Sequence, residues 1–130
     1  MTQALIDDFL SDGPWAVVGA STNRAKFGNR VLRCYLDHDK QPLYAINPRA
    51  DLIEGVASFP DLASLPEAPR AISIITPPKI TEAVVQEAID AGVQHIWMQP
   101  GAESDAAIQA AHAAGLSVIA GGPCLLVELG

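Results

Sequence analysis

Residues 16–29 read AVVGASTNRAKFGN. An apolar run stops at Gly19, passes Ala20, Ser21 and Lys26, and reaches a second glycine, Gly28. Gly19 permits a sharp turn, Ser21 offers a hydroxyl beside the free amides of a coming helix, and Lys26 adds a mobile charge. Amides at a helix N-terminus, together with the helix dipole, favour an anion. The stretch suits a phosphate; a plain strand-to-helix turn is the alternative. It departs from the dinucleotide pattern G-x-G-x-x-G, because position 21 is serine and the next glycine comes seven residues later.

Three more stretches end apolar runs in residues with recognition chemistry. Asn47, Pro48 and Arg49 stand where a dinucleotide domain places an acid against two ribose hydroxyls. A cation there suits a phosphorylated ribose, as in NADP or coenzyme A, although Asp51 two residues on keeps an NAD reading open. Thr76, Pro77 and Pro78 withhold two amide donors and offer flat apolar surface to an adenine ring or a pantetheine arm. Equally, Pro78 serves as a first helical residue. Gln99 and Gly101, in WMQPGA, offer an amide to a ligand or tie a loop together.

These stretches sit at the ends of alternating elements. Strands are predicted at Trp15–Val18, Leu43–Ile46, Ala71–Ile75, His95–Met98 and Val118–Ala120. Helices are predicted for the leading segment, with Leu5, Ile6 and Phe9 as its buried stripe, for 28–39, for the segment after Pro78 with Ile80, Val84, Ala88 and Ala91 on one face, and for Ser104–Ala114. Gly92 and Gly115 end the last two. Residues 49–70 read as a loop with a short strand near Val56 and one helical turn around Leu62. Strand–helix alternation implies a Rossmann-like, doubly wound α/β domain spanning 1–130, with a mainly parallel five-stranded sheet and helices on both faces. Such sheets bind ligands outside the carboxyl ends of their strands, where Gly19, Asn47, Thr76 and Gln99 fall.

Composition narrows the partners. Net charge is −7 and no basic run occurs, which argues against a nucleic-acid or anionic-membrane surface. No apolar run approaches the roughly 20 residues that span a bilayer, and the N-terminus lacks the order of a secretory signal; a soluble, cytoplasmic protein is expected. Arg24, Lys26, Arg30 and Arg33 are half of the eight Lys and Arg. Arg30 and Arg33 read as a solvated helix face, and Lys26 as a ligand contact. Cys34 and Cys124 have no metal-type spacing and read as reduced thiols. His38, His95 and His112 have no partner at metal or catalytic spacing, so neither metal ligands nor catalytic residues are expected.

Taken in order, GAS with KFGN, NPR, TPP, an AG turn and WMQPGA resemble the stand-alone CoA-binding domain family, related to the N-terminal domain of the succinyl-CoA synthetase alpha subunit. The resemblance runs from Trp15 to Glu128. It implies a Rossmann-type domain holding coenzyme A or an acyl-CoA, with Gly19, Ala20 and Ser21 at the nucleotide phosphates and Lys26 helping. Asn47, Pro48 and Arg49 would lie beside the phosphorylated ribose, Thr76, Pro77 and Pro78 along adenine and pantetheine, and Gln99 and Gly101 farther down the arm. Arg49 stands where related domains often carry lysine, and Pro123 where a basic residue is common. The synthetase's phosphorylated histidine belongs to a second domain, expected to lie outside this chain.

Four functions follow: non-catalytic binding of the coenzyme; an NADP-dependent oxidoreductase; a CoA-binding subunit that gains activity from a separate ATP-binding partner; and a mixed disulfide between Cys124 and coenzyme A. The first is favoured, because neither Ser21 nor Thr76 has a histidine nearby in sequence. A homodimer is left open.

Overall fold

Every residue of WAVV, AISI and HIWM is buried, which requires cover on both faces of the strands that carry them. The computed structural model, which describes residues 2–130, supplies that cover. Its elements run α1 (Thr2–Ser11), β1 (Trp15–Val18), α2 (Phe27–Asp37), β2 (Leu43–Ile46), β3 (Leu52–Ile53), β4 (Val56–Phe59) and a 3₁₀ turn (Leu62–Ser64). They continue through β5 (Ala71–Ile74), α3 (Pro78–Ala91), β6 (His95–Met98), α4 (Asp105–Ala113), β7 (Ser117–Ile119) and α5 (Leu125–Glu128).

The strands form one sheet in the order β3-β4-β2-β1-β5-β6-β7. Only β3, at one edge, runs antiparallel to its neighbour; the other pairs are parallel. The fold is therefore Rossmann-like, with seven strands where five were predicted. Both additions come from residues 49–70: β4 is the short strand expected near Val56, here joined to the sheet, and β3 was not expected. Leu52–Ile53 and Val56–Phe59 are joined through Glu54 and Gly55, both at positive φ (51° and 80°), as a two-residue type I′ hairpin turn demands. A strand of two residues, Leu52–Ile53, carries too little period to stand out. The short α5 was also not foreseen.

Side-chain alternation divides the interior. Trp15, Val17 and Trp97 face α1, α2 and α5, packing with Ile6, Phe9, Val31, Leu32, Tyr35 and Leu125. Ala16, Val18, Ile96 and Met98 face α3, α4 and the 3₁₀ turn, packing with Leu62, Val84, Val85, Ala88, Ala107 and Ala111. Pro78 opens α3 and Gly92 closes it at φ 82°, as expected, and Ser104 caps α4, its hydroxyl accepting the Ala107 amide at 3.3 Å. At the amino edge, α1 is tied down by Arg70, which donates to the Asp8 carboxylate at 2.8 Å and to the Asp12 carbonyl at 2.8 Å. Among the described residues no helix is long and apolar enough to cross a membrane.

The chain leaves β1 through α2 to β2 on one side, then returns after β4 to β5 on the other. The direction of winding thus reverses between β1 and β5, and a crevice opens there at the carboxyl rim.

Candidate functional site

Two glycines shape that crevice. Gly19 lies at φ 96°, and a Cβ built on it would stand 2.1 Å from the Ile75 carbonyl oxygen. The ends of β1 and β5 meet too closely for any other residue. Gly28, in the first turn of α2, presses on Gly19 in turn: its Cβ would lie 2.0 Å from the Gly19 oxygen. Strand, loop and helix are stacked without side chains between them, so the backbone at Gly19 is held close to the start of α2.

The loop between them is self-tied. The Ser21 hydroxyl accepts the Asn23 amide at 3.0 Å, and the Asn23 side chain accepts the Ala25 amide at 3.0 Å. Lys26 holds the N-cap position of α2 without a side-chain cap and is exposed. Asn29, fully buried, donates to the Ser21 carbonyl at 2.8 Å.

A pocket of about 480 Å³ opens at the rim on the α3 face, lined by Gly19, Ala20, Asn47, Pro48, Arg49 and Thr76. Three strand ends thus converge on one cavity. Asn47 organises them: its amide donates to the Ala20 carbonyl at 2.9 Å, and its oxygen accepts the Arg49 amide at 2.8 Å. Thr76 is fixed by buried Thr81, hydroxyl to hydroxyl at 2.8 Å. A second cavity of about 330 Å³ adjoins through Thr76 and adds Pro77, Pro100, Gly101 and Ala102. Eight of the twelve sequence-predicted residues therefore line one or other of two cavities that share Thr76.

Ser21, Lys26, Pro78 and Gln99 line neither cavity. Pro78 is the first residue of α3. Gln99 continues the alternation of β6 on the Trp97 face, away from the larger cavity, and is fully buried. Its oxygen accepts the Leu125 amide at 2.9 Å, while its nitrogen has no hydrogen-bond partner among the described residues. The amide holds α5 in place.

Other lining residues were not anticipated. Val18, Ile46, Leu62, Ile80 and Val84 give the pocket apolar walls, and Asp61 and Glu87 add carboxylates. Asp61 also caps the 3₁₀ turn, accepting the Ser64 amide and hydroxyl at 2.9 and 2.7 Å. Ile80, predicted as part of a buried stripe, is 52% exposed and overhangs the cavity. Away from the rim, burial, then Asp37 and Cys124, pushes the Cys34 thiol up, which keeps it protonated and unreactive. Arg33, read as solvated, is engaged with the Asn29 side chain at 2.7 Å.

Paired glycines at a switch point, an arginine at the next strand end and an apolar trough at the carboxyl rim mark a Rossmann-like domain. The chain belongs to the CoA binding domain family, whose model matches residues 14–130. It is 32% identical over 72 residues to the ADP-forming acetate–CoA ligase I of Archaeoglobus fulgidus, covering 55% of this chain and 10% of the ligase. It is 24% identical over 92 residues to the alpha subunit of the ADP-forming acetate–CoA ligase II of Pyrococcus furiosus, covering 71% of this chain and 20% of that subunit. The chain thus spans a tenth to a fifth of these curated relatives. Among solved structures, a conserved hypothetical protein from P. furiosus superimposes with a TM-score of 0.81 at 37% identity, over 88% of this chain and 97% of the other. Acetyl-coenzyme A synthetase 1 from Ca. Korarchaeum cryptofilum gives a TM-score of 0.78 at 27% identity, over 89% of this chain and 27% of that one.

Proposed function

We propose that this chain binds coenzyme A, or an acyl-CoA, along the carboxyl rim of its sheet and performs no reaction unaided. One observation carries the reading: a single cavity is lined by Gly19–Ala20, Asn47–Arg49 and Thr76 together. The Gly19–Ala20 backbone suits the diphosphate, and Arg49 suits a phosphorylated ribose, whose charge it can grip bidentately. Ile46, Leu62, Ile80 and Val84 offer adenine an apolar bed. The adjoining cavity at Pro77 and Gly101 continues the groove in the direction of a pantetheine arm. Ser21 and Lys26, outside the cavities, contribute through the loop that follows β1; Pro78 and Gln99 act by holding α3 and α5.

The names of the relatives favour a second reading beside the first, in which this chain is the coenzyme-binding part of an acyl-CoA synthetase and meets a separate ATP-binding partner. Copurification of such a chain from the native source supports that reading; the domain eluting alone in its presence rejects it.

The deciding experiment is calorimetric titration with CoA, dephospho-CoA, NADP and NAD in parallel. Binding of CoA with clear loss for dephospho-CoA is expected. Preference for NADP moves the protein to the oxidoreductase class, and equal binding of CoA and dephospho-CoA removes Arg49 from the ribose phosphate. Intact-mass measurement after treatment with CoA disulfide tests the mixed disulfide at Cys124; an unmodified thiol ends it.

A further inference from the structure

Glu54 occupies the tip of the β3–β4 hairpin at φ 51°, a conformation that residues other than glycine, asparagine and aspartate seldom adopt. Its carboxylate reaches across to the loop after β1. One oxygen accepts Arg24 Nη1 at 2.6 Å, and the other accepts Asn29 Nδ2 at 3.1 Å. The same Asn29 nitrogen holds the Ser21 carbonyl at 2.8 Å. Arg33 closes the ring, donating to the Asn29 oxygen at 2.7 Å and to the Arg24 carbonyl at 3.0 Å. The Glu54 side chain is 19% exposed and Asn29 fully buried, whereas Arg24 is 64% exposed, so the Asn29 contact is shielded and the Arg24 pair is open to solvent screening.

The loop has little else to hold it. Its internal hydrogen bonds fold it upon itself, and no side chain caps α2 behind it. A carboxylate beside a loop suited to phosphate is costly on Coulomb grounds alone. Its placement makes sense if the order it imposes outweighs its repulsion. We infer that Glu54 is a positioning residue, which locks residues 21–26 through Arg24 and Asn29 and thereby holds the adjoining Gly19–Ala20 turn in the shape that receives the coenzyme's phosphates. This rests on the coenzyme reading above.

The sign of the effect separates positioning from charge. Glu54→Ala makes the protein less negative, so simple electrostatics predicts tighter binding of a polyanion. Positioning predicts the reverse: CoA affinity by calorimetry falls about tenfold, and Glu54→Gln, which keeps one acceptor oxygen, falls between. In the free protein, hydrogen exchange at the Asn23, Ala25 and Lys26 amides, all bonded within the loop, should quicken about tenfold in Glu54→Ala while β1 and β5 stay protected. Equal or tighter CoA binding by Glu54→Ala overturns the inference, and so does unchanged exchange. If the wild-type protein fails to bind CoA, the coenzyme reading falls, and the exchange result alone decides whether Glu54 holds the loop.

Discussion

The carbonyl oxygen of Gly19 lies 2.0 Å from the point where a Cβ at Gly28 would stand. That contact sets the height of α2 above the sheet and so the position of the loop between the two residues. Gly28→Ala must push helix and turn apart, at a cost of about 1–3 kcal/mol for overpacking. A lowered urea midpoint with unchanged m-value is expected; an unchanged midpoint would show that the turn yields freely.

Arg49 and Asn47 should fail differently. Arg49 contributes charge at the second strand end, so Arg49→Ala should weaken CoA binding by about 1–3 kcal/mol and dephospho-CoA binding much less. Asn47 ties the Ala20 carbonyl to the Arg49 amide, so Asn47→Ala should weaken both ligands alike. Parallel titrations check the pair; identical ligand profiles for the two variants would show that Arg49 is not reading the phosphate.

At the opposite edge, His95 makes stability depend on pH. Burial, then the Arg70 charge, depresses its basicity below the ordinary value of 6.5, against a smaller opposing effect of Asp8 3.7 Å away. The unfolded chain therefore takes up the proton first as pH falls. The native state is favoured above pH 6.5, and this contribution is lost between that pH and the depressed folded value. His95→Gln should flatten the stability–pH curve in that window, measured by urea unfolding. A wild-type slope retained in the variant would assign the pH dependence to other groups.

The rim was legible because each strand there ends in punctuation: Gly19, Asn47–Pro48, Thr76–Pro77 and Pro100–Gly101. Convergence of the first three on one cavity follows from parallel topology, which the alternation of elements already implied. Ile80 was misread because a helical period identifies a stripe but not how much of it lies over the sheet. α3 starts beyond the end of β5, so Ile80 in its first turn overhangs the rim, while Val84, Val85 and Ala88 pack into the apolar core. Glu54 was invisible because its partners, Arg24 and Asn29, lie 30 and 25 positions away, joined by an edge hairpin too short to read. Gln99 offered a better signal: strand alternation from Trp97 sends its side chain to the α5 face, away from the larger cavity.

Beneath the site, Tyr35 of α2 and Ser73 of β5 share a hydrogen bond of 2.6 Å, and both side chains are wholly buried. Burial pushes the phenol strongly upward, so it stays neutral throughout the usable pH range, and Ser73 moderates that shift only in part. The bond joins α2 to β5, the strand paired with β1. Tyr35→Phe leaves the Ser73 hydroxyl buried and unpaired, and Ser73→Ala does the same to the phenol; each should cost about 1–3 kcal/mol. Removing both partners leaves no orphaned group, so the double variant should lose clearly less than the two single losses combined. Strict additivity in a urea double-mutant cycle would show that water or another group replaces the missing partner, and that α2 is held over β5 by packing alone.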